Sequence, residues 1–196
     1  MSESGSVGAR VTHWHAGRLL VASPGMVDEN FDRTVVLMLE HNEGGAVGVV
    51  LNRASHTPLE QISAPLGALA AAPGVVHIGG PVAPSAAICL GRLRAGAEDG
   101  EGASHLFGTI ASVDLDAPPD ALGERVTEIR LFAGYAGWGG GQLDGEIAAG
   151  GWFVVNRADD DAFCAAPAQL WREVLRRQRR QSLAILSSYP EDLSNN

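Results

Sequence analysis

The chain has 196 residues, 45% hydrophobic and 19% charged, with a formal net charge of −9. That length suits one domain whose core is large enough to stand without disulfides or a structural metal. All 14 basic residues are arginine, which excludes a complete Walker A loop, Schiff-base chemistry and any lysine nucleophile.

Residues 1–9 are small and polar and read as a disordered lead-in to a single domain over 10–196. Leu19–Ala22 is a short apolar strand stopped by Ser23-Pro24-Gly25, and 28–33 is a polar loop. Residues 34–39 (TVVLML) and 46–51 (AVGVVL) are two strands joined across His41–Gly45, which predicts an antiparallel hairpin. From Thr57 the apolar period becomes helical through Leu59, Ile62, Leu66 and Leu69, with Thr57 as N-cap and Pro58 first in the helix. Pro65 should break or kink that helix. Val75–Ile78 and Ser85–Leu90 follow as strands, and 94–105 as an acidic, glycine-rich loop.

Leu106–Val113 reads as another strand, and 127–133 alternates as a half-buried strand should. Gly134–Gln142 is a glycine-dense turn, followed by a short helix over 142–149 and a strand over 152–155. The clearest helix spans 168–181, with Leu170, Trp171, Val174 and Leu175 on one apolar stripe. No internal repeat or regular βαβ rhythm occurs, so the class is α+β. Cys89 and Cys164 both lie among apolar residues, which predicts free thiols and a reducing compartment. The opening residues lack the basic and apolar regions of a secretory signal. No uncharged apolar run approaches the roughly 20 residues of a spanning helix, so no membrane partner is expected.

Chemistry-bearing residues fall into a few groups. Glu40-His41 lies at the hairpin turn and Asn52-Arg53 at its open end, beside the loop that carries Arg33. Glu40 and His41 have the chemistry for acid–base work or metal binding, and the competing reading is hydrogen bonding that fixes the turn. His13 and His15 share one face of an extended segment, but no third ligand is near in sequence, so no metal site is assigned. Neither HExxH, CxxC nor Gly-x-Ser-x-Gly is present, so no hydrolase of a familiar nucleophile type is supported. His77, inside a strand, reads as a core or edge histidine.

The glycines before Gln142 could bring backbone N–H groups to an anion, with Trp138 stacking on a flat ligand. Asp144 and Glu146 in the next turn would repel a phosphate, which favours close packing of the glycines instead. The last helix carries five arginines, Arg172, Arg176, Arg177, Arg179 and Arg180, against the single Glu173. In so acidic a chain this is a solvated face rather than a tight nucleic-acid site.

Taken in order, several motifs resemble the YqgE/AlgH family of uncharacterised bacterial proteins. They are Leu19–Met26, Phe31–Val36, Glu40-His41 through Gly45–Gly48 to Asn52-Arg53, and Gly79–Val82. Tyr135–Trp138 with Gly141–Asp144 and Glu146, then Trp152 and Leu170–Leu175, complete the set. The resemblance implies a mixed, mostly antiparallel branched sheet forming a barrel-like core flanked by helices, in a cytoplasmic protein with no cofactor. It brings no catalytic residues, and a proposed role of one member in transcriptional regulation. This chain departs from the family pattern with Asp144 in place of the usual glutamate. The expectation is a non-enzymatic regulator or adaptor with a protein or small-molecule partner. The alternative is an enzyme or ligand binder. The candidate ligand-binding residues are Arg33, Glu40, His41, Asn52, Trp138 and Gln142.

Overall fold

The computed structural model describes residues 14–97, 100–178 and 181–188. The strands are β1 (Arg18–Ala22), β2 (Val35–Asn42), β3 (Gly45–Val50), β4 (Ala54–Pro58) and β5 (Val75–Ile78). They continue as β6 (Val82–Leu93), β7 (Ala103–Phe107), β8 (Ile110–Val113), β9 (Val126–Gly139) and β10 (Trp152–Asn156). Helices are short: α1 (Leu59–Ile62), α2 (Ala64–Gly67), α3 (Pro119–Arg125), α4 (Gln142–Ala148), α5 (Leu170–Arg176) and α6 (Gln181–Leu186).

Among the described residues the strands form a 10-stranded sheet in the order β10-β1-β2-β3-β9-β6-β8-β7, curled into a half-barrel. The branch lies at β9, which also pairs in parallel with β5, and β5 in turn holds β4. All other pairings between these strands are antiparallel, and an isolated parallel bridge joins Ala70 to Ile129. The sheet is therefore mixed, mostly antiparallel and branched, as the resemblance implied.

Both faces are apolar. Leu19, Val21, Val35, Leu37 and Phe132 pack on one side with Leu170, Trp171, Val174 and Leu175 of α5. Leu20, Val36, Met38 and Ala136 pack on the other with Trp138, Leu143 and Trp152, under α4. Alternate residues of β1 and β2 thus serve opposite cores, which is why their sequences are continuously hydrophobic. A third cluster joins Leu59, Cys89, Leu122 and Ile129 under α1 and α3.

The hairpin forms as expected, but β2 runs to Asn42 and pairs with Gly45, so the turn is only Glu43-Gly44. Gly45 has φ +146°, and a Cβ there would sit 2.2 Å from the Trp138 carbonyl oxygen. Only glycine lets β3 approach β9 so closely.

Several other expectations are corrected. Ala54–Pro58 is a strand, so Pro58 rather than Thr57 stands at the N-cap of α1. The break expected at Pro65 is present: Ser63 is extended and separates α1 from α2, and Pro65 lies in the first turn of α2. The stretch 106–113 is a hairpin of β7 and β8, and β7 starts inside the expected loop. Helix α3 had no legible apolar period. The glycine-dense turn is largely strand, because β9 continues to Gly139. Pairing of Gly137 and Gly139 with β3 accounts for this: a glycine costs a strand little where neighbouring backbones crowd together. The expected helix over 168–181 is a 3-10 turn, Pro167–Gln169, and then α5. Arg179 and Arg180 lie outside the described residues.

Cys89 and Cys164 are both free, as expected. Burial pushes the Cys89 thiol up to about 12, so it is an inert core group. No helix among the described residues is long and apolar enough to cross a membrane.

Candidate functional site

The candidate residues separate onto the two ends of the β2–β3 hairpin. At its open end a cleft of about 350 Å³ is lined by Asp32, Arg33, Asn52, Arg53, Trp171 and Arg172. Three arginines and one aspartate therefore line the same cleft. Asn52 is the pin of this region: its Oδ1 accepts from the Val35 N–H at 2.8 Å and its Nδ2 donates to the Arg33 carbonyl at 2.8 Å. Arg53 donates to the carbonyls of Glu29 and Asp32, each at 3.1 Å. These bonds hold Arg33 at φ +51°, a left-handed conformation rare for a long side chain. The Arg33 guanidinium consequently lies over the Trp171 ring, 5.3 Å from its centroid. Trp171 is itself fixed by donating to the Ala22 carbonyl at 2.9 Å. Strain imposed by several independent bonds is a mark of functional loops.

At the turn end, a second cleft of about 340 Å³ is lined by Glu40, Asn42, Gly44, Ala46, Val47 and Trp138. Glu40 accepts from the Asn42 amide, and Asn42 Oδ1 accepts from the Gly44 N–H at 2.8 Å, so both residues fix the turn. Trp138 is buried and stacks on Phe31, with centroids 6.0 Å apart and planes at 22°. Its indole donates to Glu146 Oε2 at 2.9 Å, and Trp152 donates to the same oxygen at 2.8 Å. Gln142 donates to Glu146 Oε1 at 3.0 Å and accepts from the Gly139 N–H at 3.1 Å. Trp138 and Gln142 thus belong to one packed network centred on Glu146. The glycines serve close approach here: a Cβ at Gly140 would lie 2.5 Å from the Glu43 carbonyl oxygen.

His41 is placed by a β-bulge. Val35, Leu37 and Leu39 face the core under α5, and strict alternation would send His41 the same way. The register instead shifts between Met38 and Glu40, so His41 pairs with Ala46, and Ala46 with Trp138. The bulge therefore re-aims the imidazole onto the face covered by α4. There it meets His15, ring centroids 5.2 Å apart, and the edge of Trp14 at 5.8 Å. Its Nε2 lies 3.8 Å from Asp144 Oδ2.

Arg33 and Asn52 share one cleft, and Glu40 and Trp138 line the other. His41 and Gln142 line neither, although both lie near the turn end. Sequence reasoning placed Arg53 beside Asn52 and the Arg33 loop, but it missed Trp171 and Arg172 in the arginine cleft, and His15 and Asp144 beside His41. Their partners are distant in sequence, so no spacing pattern could have joined them. His77 is fully buried, and burial together with the nearby Arg130 lowers its pKa to about 4. Its Nδ1 is 3.2 Å from the Val75 carbonyl, in keeping with a core histidine.

Fold and clefts together define an α+β half-barrel with short helices laid over a curled sheet. The chain belongs to the AlgH-like family, which it matches over residues 19–182. It is 48% identical over 183 residues to a UPF0301 protein of Streptomyces avermitilis, covering 92% of this chain and 94% of that one. A UPF0301 protein of Mycobacterium tuberculosis is 44% identical, covering 92% and 90%. Among solved structures, a Corynebacterium diphtheriae protein superposes with a TM-score of 0.84 at 31% identity, covering 89% of this chain and 92% of that one. The AlgH protein of Pseudomonas aeruginosa superposes with a TM-score of 0.64 at 25% identity, covering 98% and 100%. None of these names specifies an activity.

Proposed function

We propose that this is a non-enzymatic regulatory or adaptor protein of the bacterial cytoplasm that binds a small anionic ligand, a carboxylate or phosphate, in the arginine cleft. The observation that carries the reading is the convergence of Arg33, Arg53 and Arg172 on one cleft, with Arg33 held in a left-handed conformation over Trp171. Guanidinium forks match the geometry of carboxylate and phosphate oxygens. An enzyme needs several reactive groups around one cleft, whereas the candidate residues here divide between the two ends of the hairpin. The strongly shifted groups His77, Cys89 and Arg130 line neither of the two clefts. The link to transcription that the resemblance implies would then run through a ligand or protein partner rather than through direct DNA contact.

A thermal-shift screen of phosphates and carboxylates tests this. Ligand at 100 times its Kd stabilises the folded state by about 2.7 kcal/mol. For a chain of this size that raises Tm by roughly 5–10 °C. The shift should vanish in Arg33→Asn, which tolerates the same backbone, and in Arg172→Gln. Equal shifts with uncharged analogues, or shifts retained by both variants, would refute the reading.

A further inference from the structure

The imidazole re-aimed by the β2 bulge leads to a second site. His15, His41 and Asp144 each bring one ligand atom within 4.8 Å of the other two. They come from the segment before β1, from β2 and from α4, three elements that meet on the face opposite α5. The His41 side chain is only 5% exposed, and its Nδ1 is buried with no hydrogen-bond partner. Burying an imidazole is costly unless its nitrogens are engaged, and the nitrogen that a cation here would engage is Nε2, the one that faces Asp144. Its Nε2 is 3.8 Å from Asp144 Oδ2, beyond hydrogen-bond range.

From this geometry we infer that His15, His41 and Asp144 form a binding site for a divalent transition-metal cation of the zinc type. Two imidazoles and a carboxylate are a usual zinc donor set. Ligands at 2.0–2.1 Å in a tetrahedron stand about 3.3 Å apart, so the His41–Asp144 spacing must contract by about 0.5 Å and no pair by more than about 1.5 Å. Asp144 can supply that movement, because its side chain is 56% exposed and sits on the first turn of α4. Three protein ligands leave the remaining coordination to water. The Trp14 ring edge against His41 limits the imidazole's rotation and so fixes its aim. The chain's net charge of −9 favours cation approach. Neither hard-cation alternative fits as well, since calcium and magnesium prefer all-oxygen shells.

The site is independent of the arginine cleft, and its test does not depend on that reading. The full chain, free of any affinity tag and stripped with chelator, is titrated with zinc chloride by calorimetry. Cobalt(II) loading is followed in parallel by visible absorption. The expectation is one equivalent bound per chain, with the visible bands of low-coordinate cobalt. Asp144→Asn should weaken binding at least tenfold without altering the far-UV spectrum, since this residue is exposed. His41→Gln and His15→Gln should weaken it further. A double variant at the exposed histidines, His56→Gln with His105→Gln, should bind as wild type. Absence of saturable binding below millimolar zinc would overturn the proposal. So would binding that survives Asp144→Asn and His15→Gln but is lost with His56 and His105.

Discussion

His77 makes the stability of the fold depend on pH in a way that can be isolated. Its ring is fully buried in β5 against Phe132, with centroids 5.8 Å apart, and Arg130 lies close enough to oppose a second positive charge. The folded-state pKa is therefore lowered from 6.5 to about 4, burial being the larger cause. A lowered histidine pKa means that the unfolded chain binds the proton first. Stability is untouched well above pH 6.5, falls as the pH drops through 6.5, and levels out below about 4. Between pH 7.5 and pH 5 the loss from this one group works out at roughly 2 kcal/mol. The perturbation is His77→Asn, which keeps a donor near Nδ1 for the Val75 carbonyl and removes the titration. Urea unfolding of both proteins at pH 7.5, 6.5, 5.5 and 5 gives the difference in stability at each pH, so carboxylates common to both cancel. The wild type should lose about 2 kcal/mol more than the variant across that range. Parallel curves would show that His77 takes up its proton in the folded state and that the burial argument is wrong.

Arg130, buried in β9, donates to the carbonyls of Ala162 at 3.2 Å and Cys164 at 3.1 Å and also to that of Ala72. Arg130→Met leaves these carbonyls unpaired and should cost about 3 kcal/mol or more in chemical denaturation; a cost below about 1 kcal/mol would contradict the clamp. Glu146→Ala strands two buried indole N–H groups and should lower stability by about 2–4 kcal/mol, with altered near-ultraviolet dichroism from Trp138 and Trp152; unchanged tryptophan spectra would dissolve the network. The arginines near the C-terminus should not support tight nucleic-acid binding, because Arg177 is paired with the buried Asp161 and the chain as a whole carries a net charge of −9. A gel shift at physiological salt should show no complex, and a tight, sequence-selective one would overturn this.

The parts of this fold that could be read from the chain are those set by local signals. The hairpin of β2 and β3 follows from two β-branched runs around a glycine-containing turn, and the α5 stripe of Leu170, Trp171, Val174 and Leu175 from helical spacing. What escaped depends on contacts between distant segments. Gly134–Gly139 looks like a turn by composition, yet its glycines are there because β3 presses against β9, as at Gly45. Ala54–Pro58 carries no strand pattern and is extended only because β5 pairs with it.

The same division explains the sites. Arg33 and Asn52 belong together for a local reason: the polar loop before β2 must return to the open end of the hairpin, where Asn52 receives it. His41 was visible as a residue but not as a direction. Strict alternation puts it among the apolar side chains under α5, where an imidazole would have no use. One extra residue in β2, accommodated as a bulge at Leu39, turns it through the sheet to His15 and Asp144. A bulge is a property of the pairing, not of either strand, so the position of the imidazole is decided only when β2 and β3 meet. Deleting Leu39 should thus remove the bulge yet leave Glu40 opposite Val47 and His41 opposite Ala46, so His41 keeps its face and the cost is mainly that of the lost apolar side chain.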